Sequence, residues 1–398
     1  MEQDKKQKDQ NKQNNLSYIL HHMNEDSLPE NAVSPPIFQT SIFCFPSFAS
    51  FQEAIADEVN HSLYTRGNNP TTMLAEQKIA ALEGGERAKL VSSGVSAITH
   101  SIMAFVRSGD HVVCVKDCYS WTKVLLSSYL ARFNVSVTFV EGTDPQEVIA
   151  AFRKETRVLY LESPTTLTFK LQDLPALAAA ARQRSVKTII DNTWATPIFC
   201  NPISMGIDLV IHSGSKYLGG ASDIIAGVIV GSKEDVDLIQ KQEFLQIGTV
   251  PDPFMAWLMI RGLRTLHIRM KAHYEGAMAV ASYLEKHPKV KDVLYPMLDS
   301  YSQKDLARRL YKGGSGLFSF NLKTRKLEDV IHFVDALKLF KRAVSWGGYE
   351  SLIFPSAVKG GNSGNSAFDD ISLVRLHVGL ETPEDLIEDL DNALRRIS

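Results

Sequence analysis

The chain has 398 residues, 44% of them hydrophobic, which is more than one ordinary domain requires; one large and one small domain are expected. A formal net charge of −2 and a pI near 6.6 provide no basic surface for a phosphate backbone, which excludes nucleic acid as the main partner. The cysteines, Cys44, Cys114, Cys118 and Cys200, include no C-x-x-C pair. We therefore expect reduced thiols in a cytoplasmic protein, and no metal site.

The chain begins with a polar stretch, MEQDKKQKDQNKQNN. It contains no apolar segment that could act as a signal peptide, and its composition predicts a disordered tail. No later run is apolar for long enough to span a membrane, so we expect a soluble protein without membrane contact. We assign residues 1–60 to this tail and an N-terminal arm.

Between about residues 60 and 233, short β-rich runs alternate with helical stretches. Examples are the runs HVVCV, RVLYLE, KTIID and DLVIHS and the helical stretch DLPALAAAARQRS. This alternation predicts an α/β domain, residues 61–255, with a largely parallel sheet covered by helices on both faces. Ligands of such sheets bind beyond the carboxyl ends of the strands.

Residues 256–398 are predicted to form a linking helix and a smaller α+β domain. A long helical region is expected from Pro253, closed by Pro288. The runs KVKDVLYP, GLFSFNL, RAVSW and SLVRLHV are typical of strands, with helices near Leu327–Leu339 and Pro383–Arg396. The stretch KGGNSGNSAFDD indicates a mobile polar loop without a chemical role.

The stretch DLVIHSGSKYLGG carries Lys216 where a buried strand ends. An unpaired ammonium is costly at such a place, which favours a lysine whose amine forms a Schiff base with pyridoxal phosphate. The hydroxyls of Ser213 and Ser215 would then bind an anion nearby. The alternative is an ordinary ion pair that closes the strand end.

Pyridoxal phosphate also requires a buried carboxylate, a phosphate site and an aromatic cover. Asp191 ends the apolar run KTIID and can keep the ring nitrogen protonated, although a helix cap or turn former is equally possible there. In KLVSSGVSAI, the amides of Gly94 and Val95 can bind phosphate at a helix N-terminus, but any strand–helix connection tolerates such residues. Tyr119 follows HVVCV and is placed to cover the ring.

These segments belong to a longer ordered series of motifs. From about Val33 to the C-terminus the chain carries YTRGNNPT, LEGGERAKLVSSGVSAI, ESPTTLTFKLQD, DNTWATP, SGSKYLGG, RGLRTLHIRM, SWGGYESL and VRLHVGLE. With these motifs it resembles the Cys/Met-metabolism family of pyridoxal-phosphate enzymes, of the aspartate-aminotransferase fold type. The resemblance implies fold type I, with a mainly parallel seven-stranded sheet in the large domain and a smaller α+β C-terminal domain.

The resemblance also implies roles for single residues. Lys216 would be the Schiff-base lysine, Asp191 the partner of the ring nitrogen, and Tyr119 the stacking ring. The implied catalytic residues are Lys216, Tyr119 and Tyr64. The implied phosphate ligands are Ser213, Ser215, Gly94 and Val95, with Tyr64 and Arg66 contributed by the neighbouring subunit. A homo-oligomer whose active sites are shared across a dimer follows, and the family habit favours a tetramer.

Arg375 lies inside the apolar run SLVRLHV, where a charged side chain is otherwise difficult to explain. A planar two-pronged cation suits a carboxylate, so the resemblance makes Arg375 the binder of the substrate carboxylate, with Ser345 adding a hydrogen bond. Trp346 would crowd the substrate end of the pocket. The neighbouring His212 and His377 are interpreted as packed strand histidines.

The choice among relatives depends on few positions. SWGGYESL, DNTW and RLHVGLE resemble cystathionine β-lyases, whereas γ-acting relatives tend to have leucine at position 346 and RLS in place of RLH. γ-Acting relatives commonly carry glutamate just before the serine that matches Ser345, and some β-lyases carry tyrosine; Val344 matches neither. Thr166 replaces the asparagine of the family's ESPTNP. We expect a carbon–sulfur β-lyase that acts on a small sulfur-containing amino acid. Cystathionine would yield homocysteine, pyruvate and ammonia, as in methionine biosynthesis.

The expected base is the amine of Lys216, which removes the Cα proton before a thiolate leaves from Cβ. Burial should lower its pKa so that it is neutral near working pH. A γ-elimination needs a second proton removal at Cβ, which Trp346 is expected to discourage.

The alternatives are a γ-acting relative (cystathionine γ-lyase, cystathionine γ-synthase or methionine γ-lyase) and a non-catalytic binding protein on the same fold. The latter would be expected to lack Lys216 or Asp191, and both are present. A nicotinamide enzyme is disfavoured because no G-x-G-x-x-G opens a helix after the first strand.

Overall fold

The computed structural model describes residues 15–359 and 370–397. The predicted polar tail and the predicted loop KGGNSGNSAFDD lie almost entirely outside these ranges. Within them, no helix is long and apolar enough to cross a membrane. The domain limits at residues 60/61 and 255/256 remain a prediction.

A seven-stranded sheet lies at the centre of the larger part of the chain. Its strands are β1 (Arg87–Val91), β2 (His111–Val115), β3 (Ser136–Val140), β4 (Thr156–Glu162), β5 (Lys187–Asp191), β6 (Leu209–Ser213) and β7 (Gly227–Gly231). In the order β1-β7-β6-β5-β4-β2-β3, β7 runs antiparallel to both neighbours and the other adjacent pairs are parallel. Both β2 and β7 are buried along their whole length, as in sheets covered on two faces. The predicted α/β fold type I is confirmed.

Helices surround this sheet and a second one. The described α-helices are α1 (Leu16–His21), α2 (Phe48–Ala56), α3 (Pro70–Glu83), α4 (Gly94–Met103), α5 (Ser120–Val124), α6 (Pro145–Ala150), α7 (Leu174–Arg182), α8 (Thr196–Phe199), α9 (Lys233–Ile239), α10 (Leu245–Ile247), α11 (Pro253–Arg264), α12 (Leu266–Lys286), α13 (Lys304–Leu310), α14 (Leu327–Ala336) and α15 (Pro383–Leu394). The start of α3 follows from YTRGNNPT, because Asn69 caps it through Thr71 N and Pro70 occupies its first turn.

The long helical region predicted from Pro253 to Pro288 is present, but Thr265 divides it into α11 and α12. The carbonyl of Gly262 accepts a hydrogen bond from Arg269 Nη2 at 2.7 Å as well as one from Thr265 N at 3.2 Å. The same guanidinium donates from Nη1 to the Tyr217 carbonyl at 2.8 Å. The break therefore lets Arg269 hold the turn that follows Lys216.

The second sheet contains β8 (Val290–Leu294), β9 (Leu317–Leu322), β10 (Lys341–Arg342), β11 (Leu352–Pro355) and β12 (Leu373–His377), in the order β10-β11-β12-β9-β8. Only β10 and β11 pair in parallel among these strands as described. The strand predicted for RAVSW is wrong beyond Arg342: the chain leaves the sheet there, and Ser345 has a left-handed φ of 75°. This departure brings Ser345 over the large sheet's edge, at Lys216.

Candidate active site

The predicted acid and lysine meet at the carboxyl edge of the large sheet. Asp191 is the last residue of β5 and pairs in register with Ile211 of β6. Two residues further, β6 ends at Ser213, and the turn to Lys216 is closed by a hydrogen bond from Lys216 N to Ser213 O at 3.1 Å. Parallel neighbours bring their carboxyl ends together, which is why the two predicted residues share one site.

The Lys216 amine is confined on several sides. Its Nζ is hydrogen-bonded to Ser345 Oγ and lies 5.8 Å from the centre of the Trp346 ring. Burial, and next the positive charge of Arg375, lower the pKa of Lys216 to about 8, although the Asp191 carboxylate acts in the opposite direction. A substantial fraction of the amine is therefore neutral near physiological pH, as a base or nucleophile requires.

Asp191 is oriented by one threonine. Its Oδ1 accepts hydrogen bonds from Thr193 N at 2.9 Å and Thr193 Oγ1 at 2.5 Å, and Thr193 Oγ1 accepts in turn from Ser213 N at 2.8 Å. The other oxygen, Oδ2, has no hydrogen-bond partner among the described residues. Burial raises the pKa of Asp191, and the Thr193 hydrogen bonds oppose that rise. A cationic ring N–H placed at Oδ2 would favour the ionised carboxyl further.

A second carboxyl, Glu162, was missed by sequence reasoning. It ends β4, is 8% exposed and pairs in register with Asp191. Its Oε2 accepts from Tyr119 N at 2.7 Å, and its Oε1 is hydrogen-bonded to Thr166 Oγ1 at 2.6 Å. Burial, and then the Asp191 charge, raise the pKa of Glu162 to about 8, so Glu162 is largely protonated at neutral pH. Acidic residues at the ends of two adjacent strands were the signal available in the sequence.

Tyr119 lies over the same edge of the sheet. Its main chain is fixed by the Glu162 hydrogen bond, and its side chain is 39% exposed. Burial, and next the Asp191 and Glu162 carboxyls, raise the pKa of Tyr119 above its ordinary value. The phenol therefore stays protonated at neutral pH and can serve as a hydrogen-bond donor or acid beside Asp191.

Of the residues predicted to bind phosphate, Gly94 and Val95 begin α4, and Ser213 lies beside Gly94. Ser93 caps this helix by accepting from Ser96 N at 3.1 Å. A Cβ on Gly94 would lie 3.0 Å from Ser213 Cβ, so the glycine lets the first helical amides approach Ser213. The Ser215 hydroxyl already has main-chain partners. Its Oγ accepts a hydrogen bond from Ala226 N at 3.0 Å and donates one to Ala226 O at 3.4 Å. Val95, the next residue, is 39% exposed.

Arg375 and Lys216 both hydrogen-bond to Ser345. Arg375 Nη2 donates to the Ser345 carbonyl at 3.1 Å, and its guanidinium is 5.1 Å from the centre of the Phe354 ring. In the described part of the chain no carboxylate forms an ion pair with it. Burial lowers the pKa of Arg375 to about 10, which leaves it charged at neutral pH. An unpaired, half-buried arginine is suited to binding a substrate carboxylate.

Tyr64 and Arg66 are not brought to this site within the described chain. Both side chains are exposed. Arg66 Nη2 lies 3.8 Å from Glu58 Oε1, and the Arg66 guanidinium lies 5.9 Å from the centre of the Tyr64 ring. The loop itself is held by Lys89, whose buried Nζ donates to Gly67 O at 2.8 Å. Their assignment to a neighbouring subunit therefore remains a prediction. The two histidines are buried with polar partners: His212 Nε2 contacts Glu83 at 2.6 Å, and His377 contacts main chain.

The lowered pKa of Lys216 predicts how the rate at which the cofactor-free protein binds an aldehyde depends on pH. Only the neutral amine reacts, so the capture rate with pyridoxal phosphate should rise about tenfold per pH unit at acid pH and level off near the pKa of about 8. Stopped-flow absorbance between pH 6 and 10.5 measures this rate. A rate that is still rising tenfold per unit at pH 10 would indicate an ordinary surface lysine.

Comparison with known proteins is consistent with these features. The family model described as "Cys/Met metabolism PLP-dependent enzyme" matches residues 17–395. The chain is 40% identical to L-methionine gamma-lyase from Treponema denticola, over 92% of this chain and 93% of that protein. It is 36% identical to cystathionine gamma-lyase from Dictyostelium discoideum, over 94% and 96% of the two chains. It is 38% identical to cystathionine gamma-synthase from Mycobacterium bovis, over 91% and 92%. These names favour the γ-acting alternative over the expected β-lyase.

Proposed function

The chain belongs to the family of Cys/Met-metabolism enzymes that depend on pyridoxal phosphate, and we propose that it is a carbon–sulfur lyase acting at the γ position of a sulfur-containing amino acid. The observation that carries the proposal is about 40% identity to methionine γ-lyases along more than nine-tenths of both chains. The expected cystathionine β-lyase and its place in methionine biosynthesis are not supported by these relatives.

The residues present fit the cofactor. The amine of Lys216 is partly neutral, Asp191 Oδ2 has no other partner among the described residues, and the approach allowed by Gly94 places helix-start amides beside Ser213. We propose that Lys216 bonds the cofactor aldehyde, that Asp191 binds the ring nitrogen and that Tyr119 stacks on the ring. The phosphate ligands proposed are Gly94, Val95, Ser213 and Ser215, with Tyr64 and Arg66 from a second copy. When bound, pyridoxal phosphate supplies an electron-accepting ring that stabilises negative charge on substrate carbons.

The chain's own groups then bind the substrate and move protons. Arg375 binds the carboxylate, and the hydrogen bond of Ser345 aims Lys216 Nζ toward Cα. The neutral amine removes the Cα proton, and it must release that proton before it can remove one at Cβ, as γ-elimination requires. The phenol of Tyr119, whose pKa is raised, is the acid available to the leaving sulfur.

A β-elimination is the second candidate, favoured by the crowding around Lys216. The Trp346 ring lies 5.5 Å from that of Tyr217 and 5.8 Å from Lys216 Nζ, so it occupies space beside the amine. A β-elimination removes only the Cα proton and needs less room for the base to move.

Product analysis distinguishes the two candidates. We expect purified, cofactor-loaded protein to convert L-methionine and L,L-cystathionine to 2-oxobutyrate, identified by chromatography of its hydrazone. Pyruvate in place of 2-oxobutyrate from cystathionine would instead identify a β-lyase. If neither keto acid forms from methionine, cystathionine or cystine, the non-catalytic alternative is favoured.

We also propose a homo-oligomer with shared active sites, a tetramer by family habit, because Tyr64 and Arg66 are exposed and make no contact with the Lys216 site in the described residues. A cytoplasmic location remains a proposal too, supported by cysteines that are all unpaired.

A further inference from the structure

The segment 345–347 lies directly on the turn that carries Lys216. Ser345 and Gly347 both have left-handed backbone conformations, with φ of 75° and 92°. A Cβ at Gly347 would be 2.8 Å from Lys216 Cβ and 2.9 Å from Lys216 Cα. The main chain of this segment therefore has no room to move toward the lysine, and a shift away would separate Ser345 Oγ from Lys216 Nζ.

Two residues of β12 hold this segment in place. Arg375 Nη2 donates to the Ser345 carbonyl at 3.1 Å, and His377 Nε2 accepts from Gly347 N at 3.0 Å. The residues are two positions apart on one strand, so their side chains lie on the same face of the sheet. Arg375 is also the proposed carboxylate binder, whereas His377 is not proposed to contact the substrate.

The hydrogen bonds of His377 fix its tautomer. An amide N–H can only donate, so Nε2 must carry the lone pair, and Nδ1–H then donates to the Glu350 carbonyl at 3.0 Å. The ring is 1% exposed and packs against the rings of Tyr217 and His273. Burial, and next the charge of His273, lower the pKa of His377 well below its ordinary value, so the acceptor lone pair persists at working pH.

We propose that His377 is a positioning residue: through the Gly347 amide it fixes Ser345 and Trp346 above Lys216 and so determines how tightly an amino-acid substrate is bound. No hydrogen bond joins His377 to Lys216 Nζ among the described residues; its hydrogen bond to Gly347 N links it to the segment 345–347. The inference rests on the proposed function in so far as the bound molecule is an amino acid that reaches Lys216.

Three substitutions isolate the Nε2 lone pair. His377→Gln can place its amide oxygen near the Nε2 position and keep the acceptor for Gly347 N. His377→Asn reaches only the Nδ1 position, and His377→Leu supplies no polar atom. A buried amide without an acceptor favours displacement of the segment 345–347, and the free energy of that lost hydrogen bond sets the expected weakening of substrate binding at roughly 5–150-fold. We expect losses in that range for the Asn and Leu variants, and a loss of no more than about threefold for His377→Gln.

The measurements separate positioning from simple destabilisation. Binding of L-norleucine, which has no leaving group, is titrated through the change in the visible cofactor band, and KM and kcat are measured for the substrate that gives keto acid. The expected pattern is a raised norleucine Kd and KM for His377→Asn and His377→Leu, rescue by His377→Gln, and an unchanged free-enzyme band in all three. Melting temperatures report the structural contribution independently.

Two results would overturn the proposal: wild-type Kd and KM in the Asn and Leu variants, or equal losses in Gln and Leu that parallel their melting temperatures. Should wild-type protein form no keto acid, the proposed function fails, and the norleucine Kd series still decides the role of His377.

Discussion

Replacing Lys216 with alanine is expected to remove the visible absorption band of the cofactor-loaded protein and to lower kcat by at least about 10³-fold. Two effects of the amine are lost together, its covalent bond to the aldehyde and its action as the base, and general base catalysis alone contributes about 10²–10⁴-fold. The structure places no second lysine in hydrogen-bond contact with Ser345 among the described residues. Absorbance spectra and keto-acid assays on the same preparation measure both effects.

Two further variants make the result specific to the amine. Lys216→Arg keeps a positive charge but not a group that can become neutral, and it should be as inactive as the alanine variant. Lys233→Ala removes an exposed lysine at the start of α9, where it pairs with Asp237, and should behave as wild type. Wild-type absorbance and turnover in Lys216→Ala would remove the basis of the proposed site.

The parts of the site that sequence reasoning found depend on local signals. Lys216 and Asp191 each follow an apolar run that ends in small or polar residues, and the alternation of runs predicts parallel strands. Once the strands are parallel and adjacent, their carboxyl ends must meet, so the proximity of these residues follows from the fold class.

The parts that it missed depend on contacts between distant segments. The left-handed conformation of Ser345 is held by Arg375 and His377, and nothing in RAVSW indicates that the strand stops at Arg342. The break at Thr265 depends on Arg269 reaching the Tyr217 carbonyl. Glu162 gains its importance only from pairing with Asp191 across the sheet. Each of these interactions joins residues whose proximity the local sequence pattern does not specify.

Two kinds of sequence similarity disagree on whether the reaction is a β- or a γ-elimination. The motifs around Trp346 and His377 favoured a β-lyase, whereas similarity along the whole chain is to proteins named as γ-acting. Whole-chain identity is dominated by the core and the cofactor site, while the reaction outcome depends on the few side chains that surround the substrate's sulfur. For this reason product analysis carries more weight than either similarity.

Replacing Arg375 with leucine is expected to raise KM for an amino-acid substrate on the order of 10²–10⁴-fold. The guanidinium can form two charge-assisted hydrogen bonds with the carboxylate, each worth about 1.5–3 kcal/mol. Arg375→Lys keeps one positive charge without the planar fork and should lie between wild type and Arg375→Leu. Steady-state kinetics on the substrate that yields keto acid measure the change.

The carboxylate can be removed from the ligand as well as the arginine from the protein. An amine analogue, 3-(methylthio)propylamine, should bind wild type and Arg375→Leu with similar weak affinity, because the interaction under test is absent in both cases. Arg375 also lowers the pKa of Lys216, so in Arg375→Leu the pH at which aldehyde capture levels off should move upward from about 8. An unchanged KM for the amino acid in Arg375→Leu would show that Arg375 does not bind the carboxylate. The same conclusion follows if the substitution weakens binding of the amine as much as binding of the amino acid.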